Sequence, residues 1–238
     1  MLKRIIDISI SISIIVFFSP IIALILLYIF LITGVNPVFL QERKISLDKK
    51  GFRIIKIRTI RYSKQFLELE SKSSDIFIKQ GYEKFVPPFC RWLRKSGLDE
   101  ILQLINVLKG EMSIIGPRPL LIADLVMMQK GGNEYYKRRT KLHSKPGITG
   151  YWQVFGERIG GFQNLVELDE IYEREKSFLF DLKIIFRTFL IFATASHSDS
   201  IIPGKRKVVV LSIKNLKFTA SRILNNRILP ILPDPYRN

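Results

Sequence analysis

The chain has 238 residues, with 38 lysines and arginines against 21 acidic residues, giving a formal charge of +17. That length suits one domain with appendages, and that charge calls for anionic partners: nucleic acid, acidic lipid or a phosphorylated substrate. One cysteine excludes an internal disulfide, and with only two histidines the chain argues against a zinc centre of His and Cys.

From Ile8 to Thr33 there is no charged residue. As a straight helix this stretch is roughly 39 Å long at about 1.5 Å per residue, enough to cross a hydrocarbon core of roughly 30 Å. It is too long for a signal-peptide core and lacks a small-residue cleavage site. Pro20 lies in mid-segment, where proline removes a backbone donor and kinks a helix. Ser19 is placed to hydrogen-bond the freed carbonyl. Lys3 and Arg4 precede the segment, and Arg43, Lys44, Lys49 and Lys50 follow it. A spanning helix calls for asymmetric flanks. Basic flanks on both sides leave two arrangements open, a spanning helix and a re-entrant one that dips in and returns.

After Asn36-Pro37, the stretches Val38 to Gln41 and Phe52 to Ile57 read as strands around a turn at Asp48-Lys49-Lys50-Gly51. Strand alternation puts Ile54, Lys56 and Arg58 on one face, and Ile55 and Ile57 on the other. Ser63 to Pro88 reads as a peripheral helix broken at Ser71–Ser74. Ser96 to Lys109 is the clearest helix, with Leu98, Ile101, Leu102, Ile105 and Leu108 as its apolar face, Ser96 as N-cap and Gly110 as stop. Residues 121–142 read as one helix ending in Lys137-Arg138-Arg139. Lys145 to Gly150 reads as a turn, and Tyr151 to Phe155 as a short strand or extended segment. Asn164 to Glu175 is predicted as an acidic helix and Ser177 to Ala195 as an apolar one. The basic tail after Ser200 reads either as a pair of membrane-surface helices or as a disordered segment. The organisation is thus a membrane segment over 1–36, a domain over 37–199 and a tail over 200–238. The fold class is helix-rich α+β with a β-hairpin and interfacial amphipathic helices.

The chain carries no P-loop, no dinucleotide fingerprint and no nucleophile elbow. Its most informative stretch runs from Arg94 to Leu121. Asp99-Glu100 opens the apolar helix there, and Ser96-x-x-Asp99 resembles a capping box. The same physics serves catalysis, since a rigid ionised aspartate can attack phosphorus. Glu100 could hold a magnesium ion bridging phosphate oxygens. In Gly116-Pro117-Arg118-Pro119, prolines on both sides fix the backbone around one arginine, which offers a forked phosphate contact. Lys56, Arg58, Asp169 and Tyr172 say little alone.

In combination they say more. Lys3-Arg-Ile-Ile-Asp, the Ser19-Pro20 kink, Pro37-Val-Phe-Leu-Gln-Glu-Arg and Phe52-Arg-Ile-Ile-Lys-Ile-Arg-Thr come in order. The run from Leu98 to Leu120, Lys145-Pro-Gly-Ile-Thr-Gly-Tyr-Trp-Gln-Val and the segment from Asp169 to Ile184 follow. The chain resembles the bacterial sugar transferases that act as monotopic polyprenyl-phosphate phosphoglycosyl transferases. That resemblance implies attack by Asp99 on the β-phosphorus of a UDP-sugar and expulsion of UMP. A polyprenyl phosphate, such as undecaprenyl phosphate, then takes the sugar phosphate from the aspartate. It also implies magnesium on Glu100, phosphate on Arg118, polar-site roles for Lys56, Arg58 and Asp169, and a re-entrant kink at Ser19 and Pro20. Both termini would then face the cytoplasm of a bacterial cytoplasmic membrane, with membrane lipids and no nucleic acid as partners. The chain departs from the family pattern at Ser96-Gly97 and at Phe155-Gly156-Glu157-Arg158. The rival reading is a membrane-anchored basic protein that binds anionic lipid or nucleic acid without catalysis.

Overall fold

The computed structural model describes residues 2–61, 65, 82–131, 134–156 and 160–194. The tail over 200–238, the Ser71–Ser74 break and Glu157-Arg158 lie outside the described residues. α1 (Leu2–Thr33) contains Pro20. The Ser19 hydroxyl donates to the Val16 carbonyl at 2.9 Å. That is the carbonyl four residues before Pro20, which has no N–H to give it.

α1 meets the rest of the chain at both ends. At its start, Asp7 is buried and accepts from Ser113 Oγ at 2.7 Å and the Ile114 N–H at 3.3 Å. Arg4 donates to the carbonyls of Val107 at 2.6 Å and Leu108 at 3.1 Å. Lys3 pairs with Asp181 and donates to Tyr172 Oη at 3.2 Å. Toward its end, Ile29 is fully buried in a cluster with Ile57, Val86, Cys90 and Leu93. Between these contacts Val16, Phe17, Ile21 and Leu24 are exposed.

β1 (Val38–Arg43) and β2 (Phe52–Ile57) form an antiparallel hairpin in which Gln41 faces Ile54 and Phe39 faces Lys56. Alternation separates its two faces. Ile54 packs with Val107 and Met112, whereas Ile55 and Ile57 join the cluster beneath α1. α2 (Pro88–Ser96) follows a 3-10 turn at Tyr82–Phe85. A second 3-10 turn, Leu98–Glu100, precedes α3 (Gln103–Leu108). The single helix expected from Ser96 to Lys109 is therefore a 3-10 turn followed by the short α3, with α2 ending just before them at Ser96 and Gly97. Ser96 is not an N-cap but the last residue of α2, and its hydroxyl donates back to Trp92 and Leu93 carbonyls at 3.0 and 3.1 Å. Gly97 has φ 78°, the left-handed region that closes helices.

β3 (Ser113–Ile115) pairs in parallel with β4 (Gly147–Thr149). This corrects the turn expected at Lys145 to Gly150. The glycines there serve close approach, not reversal: a Cβ on Gly147 would lie 2.1 Å from the Gly116 nitrogen. The helix expected over 121–142 is also two, α4 (Ile122–Lys130) and α5 (Glu134–Thr140), because Gly131 ends the first. α6 (Tyr151–Phe155) is a short helix rather than the expected extended segment. Burying Trp152 against Leu165 and Val166 overrides the strand preference of its aromatic residues. α7 (Gly161–Glu175) and α8 (Phe178–Thr194) match expectation to within a few residues. α8 exposes Phe178, Leu179, Leu182, Phe186 and Phe189, and α2 exposes Trp92.

The deepest charges are Arg139 and Asp169, both fully buried and joined at 2.8 Å. Burial pushes the Asp169 carboxyl up to about 6 against the opposing pull of Arg139. Ionising it in the fold therefore costs stability, a cost present above about pH 6 and absent below the unfolded value near 4.

Removing one partner should cost far more than removing both. Asp169→Ala leaves Arg139 buried and uncompensated, for about 3–5 kcal/mol, while Arg139→Met with Asp169→Leu should recover most of that loss. Thermal melts in detergent measure both; equal instability of the single and double variants would mean that packing, not charge, sets the cost. At Gly97 the expected loss on alanine substitution is about 1–2 kcal/mol from the left-handed backbone, and Gly97→Asn should lose less in the same melts.

Candidate active site

Asp99 and Glu100 lie on the tight turn between α2 and α3. Backbone bonds from Glu100 to Gly97, Ile101 to Leu98, Leu104 to Ile101 and Ile105 to Leu102 wind this stretch as a 3-10 run of 3.1–3.2 Å contacts. The pair is thus not in the first turn of a regular α-helix, as the sequence suggested. Gly97 turns the chain out of α2 so that the next residues start a new direction. Both residues, Asp99 and Glu100, are 8 % exposed. Lys56 Nζ donates to Glu100 Oε1. The hairpin face carrying Ile54 and Lys56 is the one that packs on α3.

Arg58, two residues beyond Lys56, holds the entry to the hairpin. Its Nε donates to the Asn36 carbonyl at 2.7 Å, and its guanidinium lies 5.4 Å from the Phe39 ring centre. It therefore ties the exit of α1 to β1.

The Gly116-Pro117-Arg118-Pro119 turn leaves the end of β3. Its backbone is gripped from two sides. The Arg118 N–H donates to Asp169 Oδ1 at 3.4 Å, and Arg139 donates to the Arg118 carbonyl. Arg139 also donates to the Ile45 carbonyl at 2.7 Å. The close contact of Gly116 with β4 leaves no room for displacement of the turn in that direction. The Arg118 guanidinium stacks 5.1 Å from the Trp152 ring centre, an arrangement that orients a planar fork. Asp169 is directed at backbone and at Arg139, so it acts on the turn rather than presenting itself at the surface.

Of the sequence-predicted residues, the structure pairs Lys56 with Glu100 and the backbone of Arg118 with Asp169. Ser19 and Pro20 sit apart on the exposed part of α1. Sequence reasoning missed Arg139, Asp7, Asn106 and Trp152. Arg139 was hidden in a basic run at a helix end, where charge reads as solvated surface. Asp7 does carry a signal, being the one acidic residue within α1.

Among the described residues no cluster of three or more His, Cys, Asp or Glu forms. A carboxylate pair still fits magnesium, which uses one or two carboxylates and takes its other ligands from water and substrate phosphates. The only cysteine is no rival nucleophile. Burial pushes the Cys90 thiol up to about 11, with the charge of Asp99 adding to the shift against the pull of Arg94.

The bacterial sugar transferase family model matches residues 1–195. A UDP-galactose-lipid carrier transferase of Erwinia amylovora is 34% identical over 79% of this chain and 39% of its own length. A UDP-glucose:undecaprenyl-phosphate glucose-1-phosphate transferase of Escherichia coli is 32% identical over 79% of this chain and 39% of its own. The uncharacterized sugar transferase EpsL of Bacillus subtilis is 34% identical over 79% of this chain and 85% of its own. The chain spans about two fifths of the length of the longer relatives and most of the shorter one. It belongs to the bacterial sugar transferase family.

Proposed function

We propose that the protein transfers a sugar 1-phosphate from a UDP-sugar to a polyprenyl phosphate, releasing UMP, at the start of polysaccharide or glycoconjugate assembly. The observation that carries this reading is the carboxylate pair on a rigid turn with Lys56 locked beside it. The names of the relatives, which join a nucleotide sugar or a galactose or glucose phosphate to a lipid carrier, agree with it.

In the first half-reaction an Asp99 carboxylate oxygen bonds to the β-phosphorus. The bond from that phosphorus to the bridging oxygen breaks, and UMP departs with the oxygen and its electron pair. In the second, a phosphate oxygen of the polyprenyl phosphate attacks the same phosphorus and Asp99 leaves as carboxylate. Arg118, its backbone pinned and its guanidinium stacked on Trp152, binds phosphate oxygens. Lys56 sets the orientation of Glu100 and offsets its charge. Magnesium held by Glu100 would supply further charge neutralisation on the phosphates.

The second substrate is a lipid with its phosphate at the membrane surface, and the fold suits that location. α1 has 32 residues, roughly 48 Å of helix at about 1.5 Å per residue, yet Asp7 and Ile29 are both buried against the same body. A straight span would carry these two ends to opposite sides of a core about 30 Å thick. This favours a re-entrant helix with its apex near Ser19-Pro20 and both termini on the cytoplasmic face. The exposed phenylalanines of α8 and the exposed Trp92 of α2, which packs against α8, suit an interfacial seat.

Incubation with magnesium, undecaprenyl phosphate and a panel of UDP-sugars should release UMP, and Asp99→Asn should lower that rate at least about a thousandfold, as removal of a nucleophile does. A folded Asp99→Asn variant with a near-normal rate would reduce Asp99 to a structural role. Reporters fused to the two ends of the chain should both read cytoplasmic; opposite readings would establish a spanning helix.

A further inference from the structure

Asn106 lies on α3 and is completely buried. Buried amides need partners for every donor and acceptor, and this one is used along the edge of β2. Its Oδ1 accepts from the Ile55 N–H at 3.0 Å, and its Nδ2 donates to the Arg53 carbonyl at 2.7 Å. The same Nδ2 donates to Glu111 Oε2 at 2.6 Å. Meanwhile the Asn106 backbone carbonyl accepts from the Glu111 and Met112 N–H groups at 3.0 and 3.3 Å. The side-chain amide therefore pairs with β2 as the peptide of a neighbouring strand would, although among the described residues the sheet contains only β1 and β2.

We infer that Asn106 is a positioning residue for phosphate transfer, holding β2 against α3 in the one register that delivers Lys56 to Glu100. This rests on the function proposed above. The reason is periodicity. Groups on one edge of a strand alternate with a period of two, as side chains do. Ile55 N–H and the Arg53 carbonyl lie on the same edge, so a slip of one residue would turn both away from Asn106. It would also turn Ile54 and Lys56 together to the face away from α3. The Ile54, Val107 and Met112 contact is apolar and carries no directional bond. Asn106 supplies the directional bond. Glu111 orients the amide, since only nitrogen can donate to its carboxylate.

Asn106→Asp tests this with little change in volume. Its first oxygen keeps the Ile55 bond, while the second sets lone pairs against the Arg53 carbonyl and Glu111. The expected result is a kcat for UMP release lowered between about tenfold and about 100-fold, as for small misplacements of catalytic groups, with KM for the UDP-sugar unchanged. Adding Glu111→Gln gives a donor back to the new carboxylate and should restore part of kcat. Met128→Ala, in the separate cluster around Leu125 and Leu165, controls for stability: it should lower Tm without lowering kcat well below the melting range. A wild-type kcat in Asn106→Asp overturns the inference. So does a kcat that merely follows Tm across Asn106→Asp and Met128→Ala, and so does an absence of rescue by Glu111→Gln. If Asn106→Asp does not fold, Glu111→Ala, which removes the acceptor that orients the amide, should show a kcat-specific loss in the same direction, and an unchanged kcat there also overturns it. No UMP release by the wild-type protein would instead remove the transferase reading itself.

Discussion

Two charges with no access to water organise the Arg118 turn of this molecule. Arg139 and Asp169 would be costly to bury separately, and even together they cost more than an apolar pair of similar volume. What they provide is direction. Between them they hold the amide and the carbonyl of Arg118, along with the Ile45 carbonyl. An apolar pair could fill the space but could not grip a backbone. The prolines on either side of Arg118 limit its torsions, the Gly116 contact limits translation, and Trp152 limits the guanidinium. Each restraint acts on a different degree of freedom of the same residue.

The other half of the site is built from a junction. α2 ends at a left-handed glycine, and the chain restarts as a tight turn that carries both carboxylates. The departure of Ser96-Gly97 from the family pattern is thus accommodated locally: this backbone position favours glycine. Lys56 reaches the turn from a strand whose free edge is closed by an asparagine instead of a third strand. The sheet is too small to fix itself, and a side chain of α3 completes it.

Much of this was legible in the chain, for identifiable reasons. Alternation assigned Ile54 and Lys56 to one face of β2 and Ile55 and Ile57 to the other, as the packing has it. The apolar runs of α1 and α8 were plain from composition. Local rules failed where long-range packing gives a residue a second use. Gly147 and Gly150 read as turn formers because close backbone approach leaves no local trace. Tyr151 to Phe155 has strand composition, but Trp152 is needed in a core that only the fold assembles. α2 was missed although its signals are present: Pro88 in its first turn, Arg94 and Lys95 in its last, and Gly97 just beyond. The stronger apolar periodicity after Leu98 drew the helix boundary past them. Arg139 and Asn106 had no readable signal, since their partners lie 30 and 51 residues away in the chain.

Arg4 gives the apolar N-terminal helix a meaning beyond attachment. Its guanidinium occupies two terminal carbonyls of α3, while Asp7 satisfies Ser113 and the backbone of β3. The first two turns of α1 therefore complete the hydrogen bonding of the elements that lead into both halves of the site. Deleting the segment to obtain a water-soluble fragment would strip those partners away along with the lipid affinity. For this chain, solubilising by truncation and preserving the site are incompatible aims.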